Sequence, residues 1–383
     1  MTSPSVSIVV PVHNGGMDLR KCLDAIAASS YPVSECIVVD DASTDEMSEQ
    51  IAELHGARVI HLEKQQGPAL ARNRGVGEAV GDLVFFVDSD VLVHPDTLEV
   101  AVHALESSPE TAAVFGSYDD EPGHRSFLSQ YRNLFHHWVH QTSHSEASTF
   151  WSGCGLIRRN IFLEMGGFRT SYQRPSIEDI ELGTRMCRAG HGIRLEKTML
   201  CTHLKQWRFW NMISTDIFKR GLPWVLLLLE SHDAPSDLNL NYRSRFATLL
   251  AGFLVISVVA LAPTGHVAAL APAAVFLLAG IVSILFSGQR SGGLLLTLSL
   301  AILPASAAYF LAPDPLAVIP LALVLSLALT HIDFYRYAAR KRSSAFAFAV
   351  IPMQVIFFLG CGLSVCLGLI QYFFAYGRER SAH

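Results

Sequence analysis

The chain has little charge and no organised set of cysteines. Only 16% of its 383 residues are charged, and the formal net charge is −5. Because no block rich in Lys and Arg occurs before residue 243, this balance argues against a nucleic-acid-binding protein. The seven cysteines are scattered, odd in number and without a CxxC pair, which favours free thiols over a disulfide framework or a zinc site.

The first residues also lack the features of a signal peptide. "MTSPSVSIVVPVHNGG" has no basic region, and its apolar run is only as long as a strand. We therefore expect the polar part of the chain to stay in the cytosol.

The apolar residues are concentrated in the second half of the chain, where Leu, Ala, Val, Ile and Phe dominate from Phe246 onward. A spanning helix needs about 20 apolar residues. The pattern predicts spans near 246–262, 268–287, 293–312, 315–332 and 350–374. The third and fourth are short and divided only by "APDP", so four spans are an alternative to five.

Basic loops around these spans agree with a cytosolic polar half, although the terminal "GRER" would then face outward. We therefore predict a cytosolic domain at 1–206, an amphipathic interfacial helix and linker at 207–245, and a transmembrane α-helical region at 246–383.

Short apolar runs alternate with helical patterns in the first 90 residues. "VSIVVPVHN", "ECIVVDDAS", "ARVIHLE" and "DLVFFVDSD" have the composition of buried strands. Their alternation with helices predicts an α/β domain with a mostly parallel sheet. Such sheets bind ligands just past the carboxyl ends of their strands, where three of these runs turn polar.

The fourth run ends in two carboxylates, Asp88 and Asp90, with Ser89 between them. On an extended chain the two acids point the same way, so both can face one divalent cation or its surroundings. The alternative is an ordinary polar turn, because Asp and Ser are common turn residues.

Six segments in order resemble the family 2 glycosyltransferases. They are "SIVVPVHN", "CIVVDDASTD", "GPALARNRG", "FFVDSD", "SGCGLIRR…GGF" and "IEDIEL". The resemblance covers roughly residues 5 to 205 and implies the Rossmann-like GT-A fold. It also implies an inverting, metal-dependent reaction with a nucleotide-sugar donor.

The resemblance assigns roles to the residues of the acidic turn. Asp90 is the position that binds Mg²⁺ or Mn²⁺, and Asp88 and Ser89 fall among the nucleotide contacts. His203 resembles a downstream histidine that completes the metal site in some relatives, and the alternative is a hydrogen-bonded strand histidine. Pro11, Asn14 and Asp41 match positions that cradle the base and ribose, and Arg72 matches one that holds the nucleotide or supports the acidic triplet.

The "IEDIE" segment offers the base that an inverting transfer needs. The resemblance implies that Asp179 is this base and that Glu178 is a neighbouring or acceptor contact. Glu181 is expected to face solvent or to pair with an arginine. A glycosidase also uses two carboxylates, but it needs neither a nucleotide cradle nor a metal triplet.

Two further patterns are less specific. His136, His140 and His144 recur at helical spacing and could stack on one helix face, but no Cys or acid follows at ligand spacing. Processive synthases of the family carry Gln-x-x-Arg-Trp, whereas here Gln206-Trp207-Arg208 is one residue too short, which argues against chain polymerisation.

Residues 207–229 combine aromatic residues with Lys219 and Arg220, a composition that suits a helix lying in a membrane interface. We expect Arg220 to guide a lipid acceptor toward Asp179; simple anchoring to anionic lipid is the alternative.

The sequence thus indicates a multi-pass glycosyltransferase of a bacterial inner membrane. It would move a sugar from a nucleotide-sugar donor, with a UDP-sugar favoured, to a lipid-linked acceptor, either a polyprenyl phosphate or a glycolipid, in envelope polysaccharide or glycan assembly. The alternatives are a processive polysaccharide synthase and a catalytically silent scaffold that binds nucleotide sugars.

Overall fold

The computed structural model describes residues 3–45, 47–232, 235, 237–261 and 318–381. These residues divide into two compact units. The first comprises Met1–Arg125 and His136–Gln206, and the second comprises Ser126–Phe135 and Trp207–His383.

The first unit is built on one mixed sheet. In chain order its strands are β1 (Val6–Val12), β2 (Glu35–Asp40), β3 (Arg58–His61), β4 (Leu83–Val87), β5 (Val91–Val93), β6 (Thr111–Tyr118), β7 (Glu146–Ala147), β8 (Cys154–Arg158) and β9 (Gly192–His203). Their spatial order is β3-β2-β1-β4-β8-β6-β9-β5, with β7 beside β9.

The predicted α/β fold is confirmed. Strands β3, β2, β1 and β4 are mutually parallel, and β6 runs parallel to β9. Strand β8 runs antiparallel to both β4 and β6, and β5 and β7 run antiparallel to β9. Every residue of β1 and β4 is buried, as their largely apolar composition predicts for strands covered on both faces.

Helices follow the strands of this unit. They are α1 (Gly16–Ala27), α2 (Met47–Leu54), α3 (Pro68–Glu78), α4 (Thr97–Glu106), α5 (Phe127–Thr142), α6 (Arg159–Glu164) and α7 (Glu178–Arg188), and the first residues of α5 belong to the second unit. The helical spacing of Leu19, Cys22, Leu23 and Ile26 is confirmed, because all four are buried on α1.

The second unit is helical. A continuous helical run contains α8 (Phe209–Ser214), a π-helical segment (Thr215–Gly221) and α9 (Leu222–Ser231). It is followed by α10 (Tyr242–Leu261), α11 (Val318–Leu329), α12 (Ile332–Lys341) and α13 (Ser344–Ser381).

One helix in the described part of the chain, Ser344–Phe374, is long and apolar enough to cross a membrane. The predicted span near 350–374 lies within it, and the one near 246–262 largely coincides with α10. The predicted spans near 268–287 and 293–312 lie outside the described residues, as do the first residues of the one near 315–332. The multi-pass prediction therefore rests on the sequence alone.

Candidate active site

The two acids Asp88 and Asp90 lie on a tight turn directly after β4. The Asp88 backbone N–H donates to the Gly153 carbonyl (3.2 Å), which extends the β4–β8 pairing by one residue. The Val91 N–H then donates to the Asp88 carbonyl (3.0 Å) and closes the turn. The polar residues therefore stand at the carboxyl end of a buried strand, where an α/β sheet presents its ligand site.

Arg72 joins this turn to the "IEDIE" segment. Its Nη2 donates to Asp88 Oδ1 at 2.6 Å and its Nη1 donates to Glu178 Oε1 at 3.0 Å. Glu178 also accepts the Ser176 backbone N–H (2.9 Å), so both of its oxygens are bonded. One guanidinium thus fixes the distance between the acidic triplet and the start of α7.

The guanidinium of Arg72 is buried, and its centre lies 5.7 Å from the centroid of the Phe168 ring. Burial lowers the pKa of Arg72, but the charges of Asp88, Glu178 and Asp179 outweigh it and raise that pKa above its ordinary value. A buried cation shared by several carboxylates is strongly held, because removing it would leave buried charges uncompensated.

Asp90 faces His203, and Asp90 Oδ2 lies 3.5 Å from His203 Nε2. The antiparallel pairing of Val91 with His203 brings the two together, and the Leu204 N–H donates to the Asp90 carbonyl (2.9 Å). Burial raises the pKa of Asp90, but the hydrogen bond and charge of His203, with Lys205 beyond, lower it by more. The carboxylate is therefore the stable form.

The Asp90–His203 pair has the chemistry to supply two ligands of a divalent cation. Among the described residues no group of three or more His, Cys, Asp or Glu side chains could hold a metal ion. Mg²⁺ commonly binds through one or two carboxylates while substrate phosphates and water supply the remaining ligands, and imidazole is a ligand that transition metals accept. One oxygen and one nitrogen on the same side of the turn suit that arrangement.

Asp179 lies in the first turn of α7 beside Glu178. Its carboxylate is held by hydrogen bonds from Ser152, which lies just before β8, and from Ile180. The Ser152 backbone N–H (3.1 Å) and hydroxyl (3.2 Å) both donate to Asp179 Oδ2, and the Ile180 N–H donates to Oδ1 (2.9 Å). The side chain is only half-buried, so a substrate hydroxyl can still reach it.

Glu181, one turn further along α7, is buried and paired with two arginines. It is 1% exposed, and Arg169 Nε and Arg185 Nε each lie 2.8 Å from its Oε1. The expectation that it pairs with an arginine agrees with these contacts, whereas exposure to solvent does not. Arg185 also donates to the Gly167 carbonyl (2.6 Å), so this cluster fixes the loop that leads to Asp179.

The residues assigned to base and ribose line the ends of β1 and β2. Pro11 is buried in β1 opposite Val39. Asn14 has a left-handed backbone (φ 55°), and its Oδ1 accepts the Thr44 and Asp45 backbone N–H groups. Asn14 therefore organises this loop, and its contact with a nucleotide stays a prediction.

Asp41 is buried, and its two carboxylate oxygens accept the backbone N–H groups of Gln66 (2.7 Å) and Gly67 (2.8 Å). Gly67 has φ +90°, and a Cβ there would lie 2.4 Å from the Gln173 carbonyl oxygen. Only glycine fits this position. Asp41 therefore holds the loop before α3, and its contact with a ligand stays a prediction.

The helical spacing of His136 and His140 brings their rings together, 4.0 Å apart between centroids. His140 Nδ1 bonds to the Gly116 carbonyl (3.0 Å), and burial lowers the pKa of His140 to about 4. These histidines belong to an aromatic cluster with Tyr118 and Trp151 and not to a metal site in the described residues.

Arg220 lies in the second unit, in the π-helical segment, with an exposed side chain. Within the same unit Asp216 pairs with Arg132 (2.7 Å). Burial raises the pKa of Asp216, although Arg132 and Arg220 oppose that shift. Trp210 and Phe218 are exposed, whereas Trp207 and Phe209 are buried. The role of Arg220 in substrate binding stays a prediction.

Three residues that hold the candidate site in place were not predicted from the sequence. Ser152 holds Asp179, Tyr118 packs against His203, and Asn73 bonds both backbone groups of Phe168 (2.7 and 2.9 Å). Ser152 and Asn73 lie inside the motifs "SGCG" and "ARNRG", so those motifs carried the only available signal. Tyr118 lies in none of them.

Part of the chain is similar to known glycosyltransferases. Residues 7–166 match the model of the family described as Glycosyl transferase family 2. Glycosyltransferase GlyG of Streptococcus pneumoniae is 31% identical over 131 residues, which are 33% of this chain and 44% of that protein. Glycosyltransferase AglE of Haloferax volcanii is 34% identical over 113 residues, 28% of this chain and 37% of that protein. The matched region thus spans less than half the length of these relatives.

Among solved structures, the mannosyltransferase PcManGT from Pyrobaculum calidifontis, in complex with GDP-Man and Mn²⁺, superposes with a TM-score of 0.52. The match covers 92% of this chain and 87% of that one at 21% sequence identity. At this identity the likeness establishes the fold.

Proposed function

We propose that residues 7–166, which match the family 2 glycosyltransferase model, form a domain that transfers a sugar from a nucleotide-sugar donor to an acceptor, with inversion and with the help of Mg²⁺ or Mn²⁺. One observation carries the proposal. Arg72 holds Asp88 and Glu178 on a single guanidinium, which brings the acidic triplet and the "IEDIE" segment to one edge of the sheet.

The donor binds across the carboxyl ends of β1, β2 and β4. Asn14 and Asp41 face the base and ribose, and Asp88 and Ser89 face the ribose and phosphates. Asp90 and His203 would hold the cation. When bound, that cation neutralises charge on the diphosphate as the sugar leaves.

Asp179 is the general base. An inverting transfer needs a group that accepts the proton of the acceptor hydroxyl while the oxygen attacks the anomeric carbon from the side opposite the leaving group. The Ser152 backbone N–H and hydroxyl orient one carboxylate oxygen of Asp179 (3.1 and 3.2 Å), and the half-buried carboxylate takes that proton. Glu178, tied to Arg72, keeps the start of α7 at a fixed distance from the donor.

We propose a lipid-linked acceptor, either a polyprenyl phosphate or a glycolipid, and a place in envelope glycan or polysaccharide assembly at a bacterial inner membrane. The apolar helix Ser344–Phe374 and the exposed Trp210 and Phe218 beside the cationic Arg220 support a membrane location. The short Gln206-Trp207-Arg208 sequence favours a single transfer over processive synthesis.

A donor screen tests this function. The full-length protein, purified in detergent, is incubated with UDP-, GDP- and dTDP-sugars and Mg²⁺ or Mn²⁺, with and without a polyprenyl phosphate. The screen includes GDP-sugars as well as the favoured UDP-sugars because the similarly folded PcManGT was solved with GDP-Man. We expect hydrolysis of one donor class and faster turnover with acceptor. Binding of a nucleotide sugar without turnover under any of these conditions would favour the scaffold alternative.

A further inference from the structure

The imidazole ring of His203 packs face to face against another aromatic ring. Its ring stacks on Tyr118 with centroids 4.4 Å apart and planes within 6° of parallel, while its Nε2 points to Asp90. Metal-binding histidines are usually oriented by a hydrogen bond from their second ring nitrogen to a carboxylate or carbonyl. In this chain a parallel aromatic ring fixes the plane of the imidazole.

Tyr118 is itself rigidly placed at the end of β6. Its backbone pairs with Cys201 on β9, and the following residue, Asp119, donates its N–H to the Cys201 carbonyl (2.8 Å). The Tyr118 carbonyl accepts from His137 Nδ1 (2.6 Å). The ring is 9% exposed, so the surface on which His203 rests has little freedom to tilt.

Two more rings support Tyr118 from the interior. His136 lies 4.4 Å from it, and Trp151 packs edge-on at 4.8 Å with an 81° angle between planes. Trp151 directly precedes Ser152, the residue that holds Asp179. The aromatic cluster of Tyr118, His136 and Trp151 therefore underlies both the Asp90–His203 pair and the segment that positions Asp179.

We propose that Tyr118 is a positioning residue for the metal site: its ring holds the His203 imidazole with Nε2 toward Asp90, so that both donors face one cation. This inference rests on the proposed function, because it takes His203 as a metal ligand. Without the stacked ring, the imidazole could rotate about its side-chain torsions, and cation affinity would fall although both ligands remain.

The test measures metal binding and not only turnover. Mn²⁺ is titrated into the full-length protein in detergent with saturating GDP and, in parallel, UDP, and free Mn²⁺ is read by electron paramagnetic resonance. Tyr118→Leu should weaken Mn²⁺ affinity by about tenfold or more, the range seen when partners of metal ligands are changed. Tyr118→Phe, which keeps the stacked ring, should restore near wild-type affinity.

Phe115→Leu is the matched control. Phe115 is fully buried on the same strand and packs edge-on against His140 and Phe150, so its replacement damages the core without touching His203. It should leave Mn²⁺ affinity unchanged. Tyr118→Met, whose unbranched side chain adapts to irregular gaps, takes the place of Tyr118→Leu if that variant does not fold.

Wild-type Mn²⁺ affinity in Tyr118→Leu, together with weakened affinity in His203→Ala, would overturn the positioning role and leave the proposed function intact. Equal loss in Tyr118→Leu and Phe115→Leu would overturn it too, since a general core defect would then explain both. Unchanged affinity in His203→Ala would remove His203 from the metal site, whereas failure of the wild-type donor screen would count against the proposed function itself.

Discussion

Arg72 and Glu178 form a buried ion pair, with Nη1 3.0 Å from Oε1, although 106 residues separate them in the chain. The same guanidinium also bonds Asp88. The donor side and the base-bearing helix of the proposed site are therefore joined by one side chain of α3.

The first prediction concerns this ion pair. Arg72→Ala leaves the buried carboxylate of Glu178 without its cation and should lower the free energy of unfolding by about 3 kcal/mol or more. Arg72→Lys cannot bond two carboxylates in a fixed fork and should recover only part of that loss. Urea denaturation followed by tryptophan fluorescence measures the effect.

Arg74→Ala is the control for Arg72, since Arg74 lies on the same helix but is exposed and pairs with Glu78 at 3.6 Å. It should change the free energy of unfolding by no more than about 0.5 kcal/mol. Equal effects of the two substitutions would contradict the central position given to Arg72.

The second prediction is that turnover needs a divalent cation at Asp90. Excess chelator should abolish turnover, and Asp90→Ala should lower kcat/KM by about 10³-fold, because the charge of the leaving diphosphate is then uncompensated. Asp18→Ala, an exposed acid that pairs with Lys21, is the control and should have no effect. Full activity in excess chelator would exclude the role of the cation.

The third prediction tests whether Asp179 is the general base. Asp179→Asn keeps the shape of the side chain but removes the proton acceptor. Nucleotide affinity should survive while transfer to a hydroxyl acceptor falls by about 10²- to 10⁴-fold. A polyprenyl phosphate brings an oxygen that is already ionised, so transfer to it should suffer less. Isothermal titration and transfer assays measure the two effects, and unimpaired transfer to a hydroxyl acceptor would exclude Asp179 as the base.

The fourth prediction concerns Arg220. If it guides a lipid acceptor, Arg220→Ala should impair transfer to lipid but leave slow donor hydrolysis and nucleotide affinity unchanged, in detergent as well as in bilayers. If it only anchors the helix to anionic lipid, detergent should erase the defect. Arg208→Ala, also exposed and just before α8, is the matched control. Normal transfer by purified Arg220→Ala in detergent would exclude guidance.

The fifth prediction is a pH dependence of stability through His140. Burial lowers the pKa of His140 to about 4 in the folded protein, whereas an unfolded histidine titrates near about 6.5. As the pH falls from the unfolded value toward the folded one, the unfolded state takes up a proton that the folded state refuses, so stability falls. His140→Phe should make stability less dependent on pH across this window. The free energy of unfolding is measured by urea denaturation from pH 7 to 4.5. The same dependence on pH in His140→Phe and in the wild-type protein would contradict this prediction.

The sequence predicted the parts of the fold that depend on local pattern. The largely apolar runs of β1 and β4 led to buried strands, and the spacing of Leu19, Cys22, Leu23 and Ile26 led to α1. Asp88 and Asp90 were named because they follow a buried strand, and the family resemblance of their motifs assigned roles to them and to Glu178 and Asp179.

Contacts between distant segments could not be predicted in this way. The pairing of Arg72 with Glu178 depends on how α3 packs, and the stacking of Tyr118 on His203 depends on the register of β6 with β9. Neither register nor helix packing leaves a local signal in one sequence. Glu181 shows the same limit, since only the fold reveals that two arginines bury it.

The most direct test of the central claim is the anomeric configuration of the product. The wild-type protein is incubated with the donor found in the screen and with acceptor, and proton NMR of the first-formed product reads the coupling at the anomeric carbon. We expect a configuration opposite to that of the donor, and with a hydroxyl acceptor Asp179→Asn should give little product of either configuration. A product that retains the donor's configuration would contradict direct displacement with Asp179 as the base.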